Sequence, residues 1–369
     1  MFLLNRYFGQ LGTGEFGDNL YSTIPVEVED ITDAVDIAAG WEHTCAVHAT
    51  GEVSCWGDDS HGELGNGQVI DSSPLPVKVV DIDDAVAVTA GHWHTCVLRE
   101  GGSISCWGGD HDGQLGNGEI GDESDSAVPV SVLNISDAEQ VSAGGEHTCA
   151  VHTTGEVSCW GDNWRGELGT GESGNEFDSA EPTKVPNIDD AISVSSGDWH
   201  TCAVHENGGV SCWGANWSGE LGSAVNFQTF LSADPIAVTN ISDAIAVSAG
   251  TGTTCAVREN GNISCWGSNW AGELGTPTVQ GYTAEPVAVE GITDATAVAT
   301  GGGHTCALRG SERVSCWGSN FHGQLGHAQD SGISTKKVRV AGINNGVDVT
   351  TIPNTPNTCL LYTSPSPRD

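Results

Sequence analysis

One spacing governs this chain of 369 residues. The string His43-Thr-Cys-Ala-Val47, then Gly51-Glu-Val53, then Ser54-Cys-Trp-Gly57, returns five more times. Trp56, Trp107, Trp160, Trp213, Trp266 and Trp317 mark the copies at intervals of 51, 53, 53, 53 and 51 residues. After each comes Gly-(Glu or Gln)-Leu-Gly, at 62–65, 113–116, 166–169, 219–222, 272–275 and 323–326. A seventh such element, at 9–12, precedes the first marker, so the repeat is expected to be already under way where the chain starts. A unit this short cannot bury an apolar face alone, and it must stack on its neighbours.

Within a unit the pattern reads as strands. His43-Thr-Cys-Ala-Val-His48 and Val53-Ser-Cys-Trp56 flank a Gly-containing turn, as a hairpin requires. Pro76-Val-Lys-Val-Val80 suggests a third strand and Ala85-Val-Ala-Val-Thr89 a fourth. With 51 glycines against one methionine, helices and heptads are disfavoured. Four short strands in about fifty residues, repeated about seven times, predict an all-β chain forming a seven-bladed β-propeller. A solenoid of β-arches is the alternative, but seven copies suit a closed ring.

These units resemble those of the regulator of chromosome condensation repeat family. Its Gly-x-x-His, Gly-x-Val, Trp-Gly and Asn-x-x-Gly-Gln-Leu-Gly elements stand here at 144–147, 155–157, 160–161 and 163–169, and the likeness covers residues 5 to about 350. The resemblance implies the fold. It says less about function, because this scaffold hosts nucleotide exchange factors, ubiquitin-ligase modules and enzyme inhibitors.

The elements do not count evenly. Seven Gly-x-Leu-Gly copies and seven Ile-x-Asp-Ala-type copies (Ile31, Ile82, Ile135, Ile188, Ile241, Ile292 and a degraded one at Ile343) accompany only six Cys-Trp-Gly hairpins. One blade is therefore expected to be incomplete, its hairpin lying before Met1 or after Thr350. Residues 1–40 read as the end of a blade, 41–350 as six further repeats, and 351–358 remain unassigned. The tail 359–369 shares nothing with the repeat and resembles the translation of a sequencing adapter, a natural Pro/Ser-rich disordered tail being the alternative, so a gene fragment truncated at both ends is expected.

Twelve of the thirteen cysteines fall in six pairs ten residues apart: Cys45 with Cys55, Cys96 with Cys106, Cys149 with Cys159, Cys202 with Cys212, Cys255 with Cys265, and Cys306 with Cys316. The thirteenth, Cys359, lies in the tail. Each spacing straddles a hairpin turn near its centre, which sets the pair opposite one another within disulfide range. Zinc bound by these cysteines with His43 is the competing reading. The fifth unit argues against it, because Thr253 replaces the histidine there while Cys255 and Cys265 remain. Disulfides are favoured on pairing geometry and even count, and imply an oxidising, extracellular or cell-surface location; buried free thiols would suit a reducing one. Four Asn-x-Ser triplets, at Asn134, Asn216, Asn240 and Asn262, are compatible with export and add little.

Twelve basic against 49 acidic residues give a net charge of −37, which repels phosphate backbones, so no nucleic-acid partner is expected. No stretch has the length of a membrane span. Catalytic, phosphate-cradling and metal motifs are absent, so neither enzymatic activity nor a cofactor or metal is expected. His43, His94, His147, His200 and His304 open the same strand and are expected to hydrogen-bond within their blades. The acidic loops at 110–112 and 119–125 do not fit a calcium hand and read as solvated surface.

Aromatic residues supply the asymmetry. Trp41, Trp93 and Trp199 precede the hairpin, and Trp164, Trp217 and Trp270 follow it, with Tyr7 and Phe321 near equivalent turns. Both ends of a hairpin opposite its turn lie together, so all six tryptophans approach one face. They either cover blade edges or form a binding face with Glu42, Asp162 and Asp198 interleaved. The resulting expectation is a non-catalytic, monomeric binding module for a protein or glycan at or outside the cell surface. An intracellular guanine-nucleotide exchange factor, as the resemblance also allows, is the alternative.

Overall fold

A computed structural model describes residues 8–16, 22–121, 123–223, 229–327, 332–343, 346–351 and 359–363. Six antiparallel four-stranded sheets follow one another along the chain. The first consists of Ala34–Ala39, His43–His48, Val53–Asp58 and Ser72–Lys78, paired in chain order. The sequence unit that opens at His43 therefore straddles two blades: its last strand, Ala85–Ala90, is the first strand of blade two. The fourth strand starts earlier than its apolar run predicts and carries Pro74 and Pro76, which an edge strand tolerates because it needs no donor there.

The protein is a β-propeller with six blades of four strands, not seven. The reason is the hairpin count, since each complete blade uses one Cys-Trp-Gly strand and the chain has six. A two-stranded sheet of Gly346–Thr351 and Cys359–Thr363 stands between blade six and blade one, with the same bulged register that opens the first pairing of the other blades.

The first strands line a central cavity of about 290 Å³. Their side chains staple one blade to the next. Asp36 accepts a hydrogen bond from the Val88 N–H, Gln140 from Val194, Ser142 from Ser196 and Ser195 from Ala249. An inner edge that would otherwise be unpaired is thereby satisfied without a continuous sheet.

The Gly-x-Leu-Gly turn is the outer joint between blades. Trp107 buries its whole indole and donates Nε1–H to the Glu63 carbonyl at 2.7 Å; Trp56, Trp160, Trp213, Trp266 and Trp317 do the same to the turn before them. Gly65, at φ +60°, lies so close that a Cβ there would sit 2.7 Å from the Trp107 nitrogen, which explains glycine at that position. The leading glycine, Gly62, backs onto Ala127 in the next outer strand, and Gly323 backs in the same way onto Thr23.

The strand-opening histidines correct the expectation. His43, His94, His147 and His200 bond across blades, not within them: His43 Nε2 meets Thr95 Oγ1 at 2.8 Å, and His94–Thr148, His147–Thr201 and His200–Thr254 repeat the contact. Burial holds His43, His94 and His147 down to about 3 and His200 to about 4, so these imidazoles are neutral. The histidines and arginines that end the same strands instead serve their own blades, as in His48 with Asp33 and Arg99 with Asp84, both at 2.7 Å.

All six cysteine pairs are disulfides. Cys45 is bonded to Cys55, Cys96 to Cys106, Cys149 to Cys159, Cys202 to Cys212, Cys255 to Cys265 and Cys306 to Cys316, each with Cα atoms 4.1 Å apart. In every pair the two residues stand directly opposite in the register of the second and third strands. That is the close spacing of a non-hydrogen-bonded antiparallel pair. Each bridge crosses the centre of its blade, and all twelve cysteines, Cys55, Cys106, Cys159 and Cys316 among them, are buried in the core. The sulfurs are thus consumed by one another, and the reading in which they hold zinc with His43 is set aside.

Candidate functional site

The loops between first and second strands and the turns after third strands meet at one end of the ring. The Glu42 carbonyl accepts the Asp58 N–H, Trp93 that of Gly109, Glu146 that of Asp162 and Trp199 that of Ala215. The turn itself is set by an Asx oxygen: Asp59, Asp110, Asn163, Asn216, Asn269 and Asn320 each accept the N–H of the leucine five residues on. The two positions after this residue point away from the core and carry the chemistry of the face.

The six candidate tryptophans divide. Trp164, Trp217 and Trp270, all at the first of those positions, are 56%, 45% and 73% exposed, and Phe321 shares the site at 59%. Trp41, Trp93 and Trp199 are half-buried. Trp41 and Trp93 pack together with centroids 5.4 Å apart, and His92 fits against both. Trp199 meets Trp217 edge-on at 5.4 Å, and the Arg165 guanidinium lies 5.1 Å from each ring. Trp164 and Trp270 join neither group by a ring contact that the structure defines, and Trp270 lies along Gly281. Tyr7 lies outside the described residues.

Blades five and six lack the bulky loop residues. Gly252 and Gly303 stand where blades one to four carry Glu42, Trp93, Glu146 and Trp199, and beside them lies a cavity of about 300 Å³ lined by Trp199, Trp217, Glu220 and Glu273. Thr253, in place of a histidine, donates to the Ser268 carbonyl at 3.1 Å.

The acidic residues of this face are not fully solvated charges. Burial, with the nearby Asp58 charge, pushes Glu42 up to about 7. Burial likewise raises Asp162, whose oxygen caps the Trp164 N–H, and Asp198, which faces His92 at 3.4 Å. The loop at 110–112 is also not simple surface: Asp110 is buried, caps the Leu115 N–H and is held up to about 7 by desolvation.

Sequence reasoning missed one cluster. His61, His111 and Asp125 converge from three segments, with ligating atoms within 4.8 Å of one another. The available signal was positional, for His111 occupies the turn site that holds tryptophan in blades three to five.

Comparison with known proteins then places the chain. The sequence signature of the RCC1-like domain matches residues 5–295, and that of the regulator of chromosome condensation (RCC1) repeat matches 295–324. The chain belongs to the RCC1-like family. Among curated relatives of this RCC1-like protein, the ultraviolet-B receptor UVR8 of Arabidopsis thaliana is 32% identical over 275 residues, 73% of the chain. The match spans 60% of UVR8, so what the whole receptor does is not carried over. Among solved structures, human WBSCR16 superposes with a TM-score of 0.86 at 19% identity, covering 98% of each chain. Yeast RCC1 (Prp20), solved bound to Kap60, gives 0.86 at 18% identity, covering 98% of this chain and 88% of that one. Both likenesses concern the fold.

Proposed function

We propose that this RCC1-like propeller is a non-catalytic binding module. In this reading it works as a monomer at or outside the cell surface and grips a protein or glycan with its aromatic-acidic face. The observation that carries the reading is the row of exposed indoles, Trp164, Trp217 and Trp270, at the same turn of three successive blades. Rigid aromatic area at that position costs little entropy to order on binding. Six disulfides favour an oxidising compartment over the reducing one an intracellular exchange factor would occupy. Among the described residues no helix is long and apolar enough to cross a membrane.

The test is the triple change of Trp164, Trp217 and Trp270 to Ala. The melting temperature is expected to stay within a few degrees of the parent, as exposed side chains contribute little to stability. Affinity for a partner captured under oxidising conditions is expected to fall by more than about 2 kcal/mol. A triple variant that unfolds, or binds as the parent does, removes the proposal. Because Glu42 is held near 7, a basic partner should bind more tightly as pH rises through that value, and added salt should weaken it.

A further inference from the structure

We propose that His61, His111 and Asp125 form a Zn²⁺ site at the seam between blades one and two. His61 sits on the turn after blade one's third strand, His111 on the matching turn of blade two, and Asp125 at the entrance to the strand Ser126–Ser131. His61 Nδ1 lies 2.8 Å from Asp125 Oδ2, and His111 Nδ1 lies 3.9 Å from Asp125 Oδ1. A tetrahedral zinc, at about 2.0–2.2 Å from each ligand, holds its donors roughly 3.3 Å apart. The two distances, to the two oxygens of one carboxylate, lie on either side of that value, and all three ligating atoms fall within 4.8 Å of one another, so side-chain adjustments of up to about an ångström draw them onto one ion.

The ligands are held in advance. The His61 N–H donates to Glu63 Oε2 at 2.9 Å, and Asp125 Oδ1 accepts the Asp110 N–H at 2.9 Å. The imidazoles stand edge to face with centroids 5.3 Å apart. All three side chains are a quarter to a third exposed, which leaves an entry path and a fourth position for water. Two imidazoles and one carboxylate suit zinc over the hard, all-oxygen cations calcium and magnesium. Asp58, close enough to act on His61, and Asp112 and Glu119 around Asp110 add a negative field that concentrates cations. The site stands whether or not the tryptophan face binds a partner.

The full chain, carrying Cys359→Ser so that no free thiol competes, is titrated with Zn²⁺ by calorimetry and with Co²⁺ by visible absorption. One ion per chain is expected, with a cobalt spectrum free of thiolate charge-transfer bands. His111→Trp installs the residue of blades three to five, so its melting temperature without metal should match the parent. This variant and His61→Ala should each weaken zinc by at least about tenfold, while His322→Ala, at the His61-equivalent turn of blade six, should leave it unchanged. Absence of saturable binding in the parent, or parental affinity in both His61→Ala and His111→Trp, overturns the site.

Discussion

Full reduction of the six bridges is expected to unfold this protein at a temperature where the oxidised form is stable. Each bridge closes a loop between cysteines ten residues apart. In the chain-entropy account such a loop contributes about 2.5–3 kcal/mol. Six together amount to at most about 15–18 kcal/mol on that account, as much as or more than the whole stability of an ordinary domain, on the order of 5–15 kcal/mol. Replacing Cys202 and Cys212 together by Ala should therefore shift the denaturant midpoint measurably without unfolding the chain. Intact mass should show two hydrogens lost per pair, twelve in all, in protein made in an oxidising compartment. If the fully reduced and alkylated chain melts where the oxidised one does, the bridges contribute nothing. Thiols found free on all six pairs after export would sink the extracellular reading with them.

The repeat made most of this fold legible. Strands His43–His48 and Val53–Asp58 follow directly from alternation around a Gly turn, and the ten-residue spacing placed each cysteine opposite its partner, as Cys45 stands opposite Cys55. What stayed hidden are contacts that cross from one unit to the next. A periodic pattern says that units stack, but it does not say which atom meets which, so the His43–Thr95 bond between blades could not be separated from a bond within one. The same limit concealed the frame: the unit that begins at the hairpin is a sequence period, while the folded blade begins one strand earlier. Among the tryptophans, type and spacing put six on one face, but only packing distinguishes the exposed Trp270 from the half-buried Trp93 held against Trp41. The acidic count also misled, because Glu63, Asp110 and Glu167 belong to the net charge by formula and to the interior by position. A usable signal existed. Gln10, Gln114 and Gln324 occupy the same turn position as Glu63, Glu167, Glu220 and Glu273, the mark of a side chain selected for shape and hydrogen bonding.

That alternation leads to a stabilised double variant, Glu63→Gln with Glu167→Gln. Both carboxyls are buried, and desolvation first, then the charges of Asp58 and Asp162 respectively, raises them from the ordinary 4.5 to about 8. Both accept a backbone bond that an amide oxygen can replace, Glu63 from the His61 N–H and Glu167 from the Arg165 N–H, as Gln114 accepts the Asp112 N–H; Glu167 also accepts a long 3.5 Å contact from the Arg165 guanidinium, a charged partner that the amide would meet as a neutral group. The sign follows from proton linkage. The folded chain holds protons that the unfolded chain has released, so this part of its stability is complete below about 4.5 and is lost as pH rises towards 8. Glutamine does not titrate and loses nothing over that range. At pH 8 the double variant should therefore be more stable than the parent by on the order of 1–2 kcal/mol per site, a fraction of the full linkage value of about 1.4 kcal/mol per pKa unit. Near pH 4.5 the two should be alike. The neutral histidines act in the opposite direction, since His43, His94, His147 and His200 are depressed and their contribution is lost as pH falls below 6.5. Both chains share that acid limit, so the difference between their denaturation curves isolates the glutamates. An advantage that is flat from pH 5 to 8 would mean that the carboxyls do not change protonation on folding, and a double variant less stable at pH 8 would mean that the amide finds no partner where the acid did.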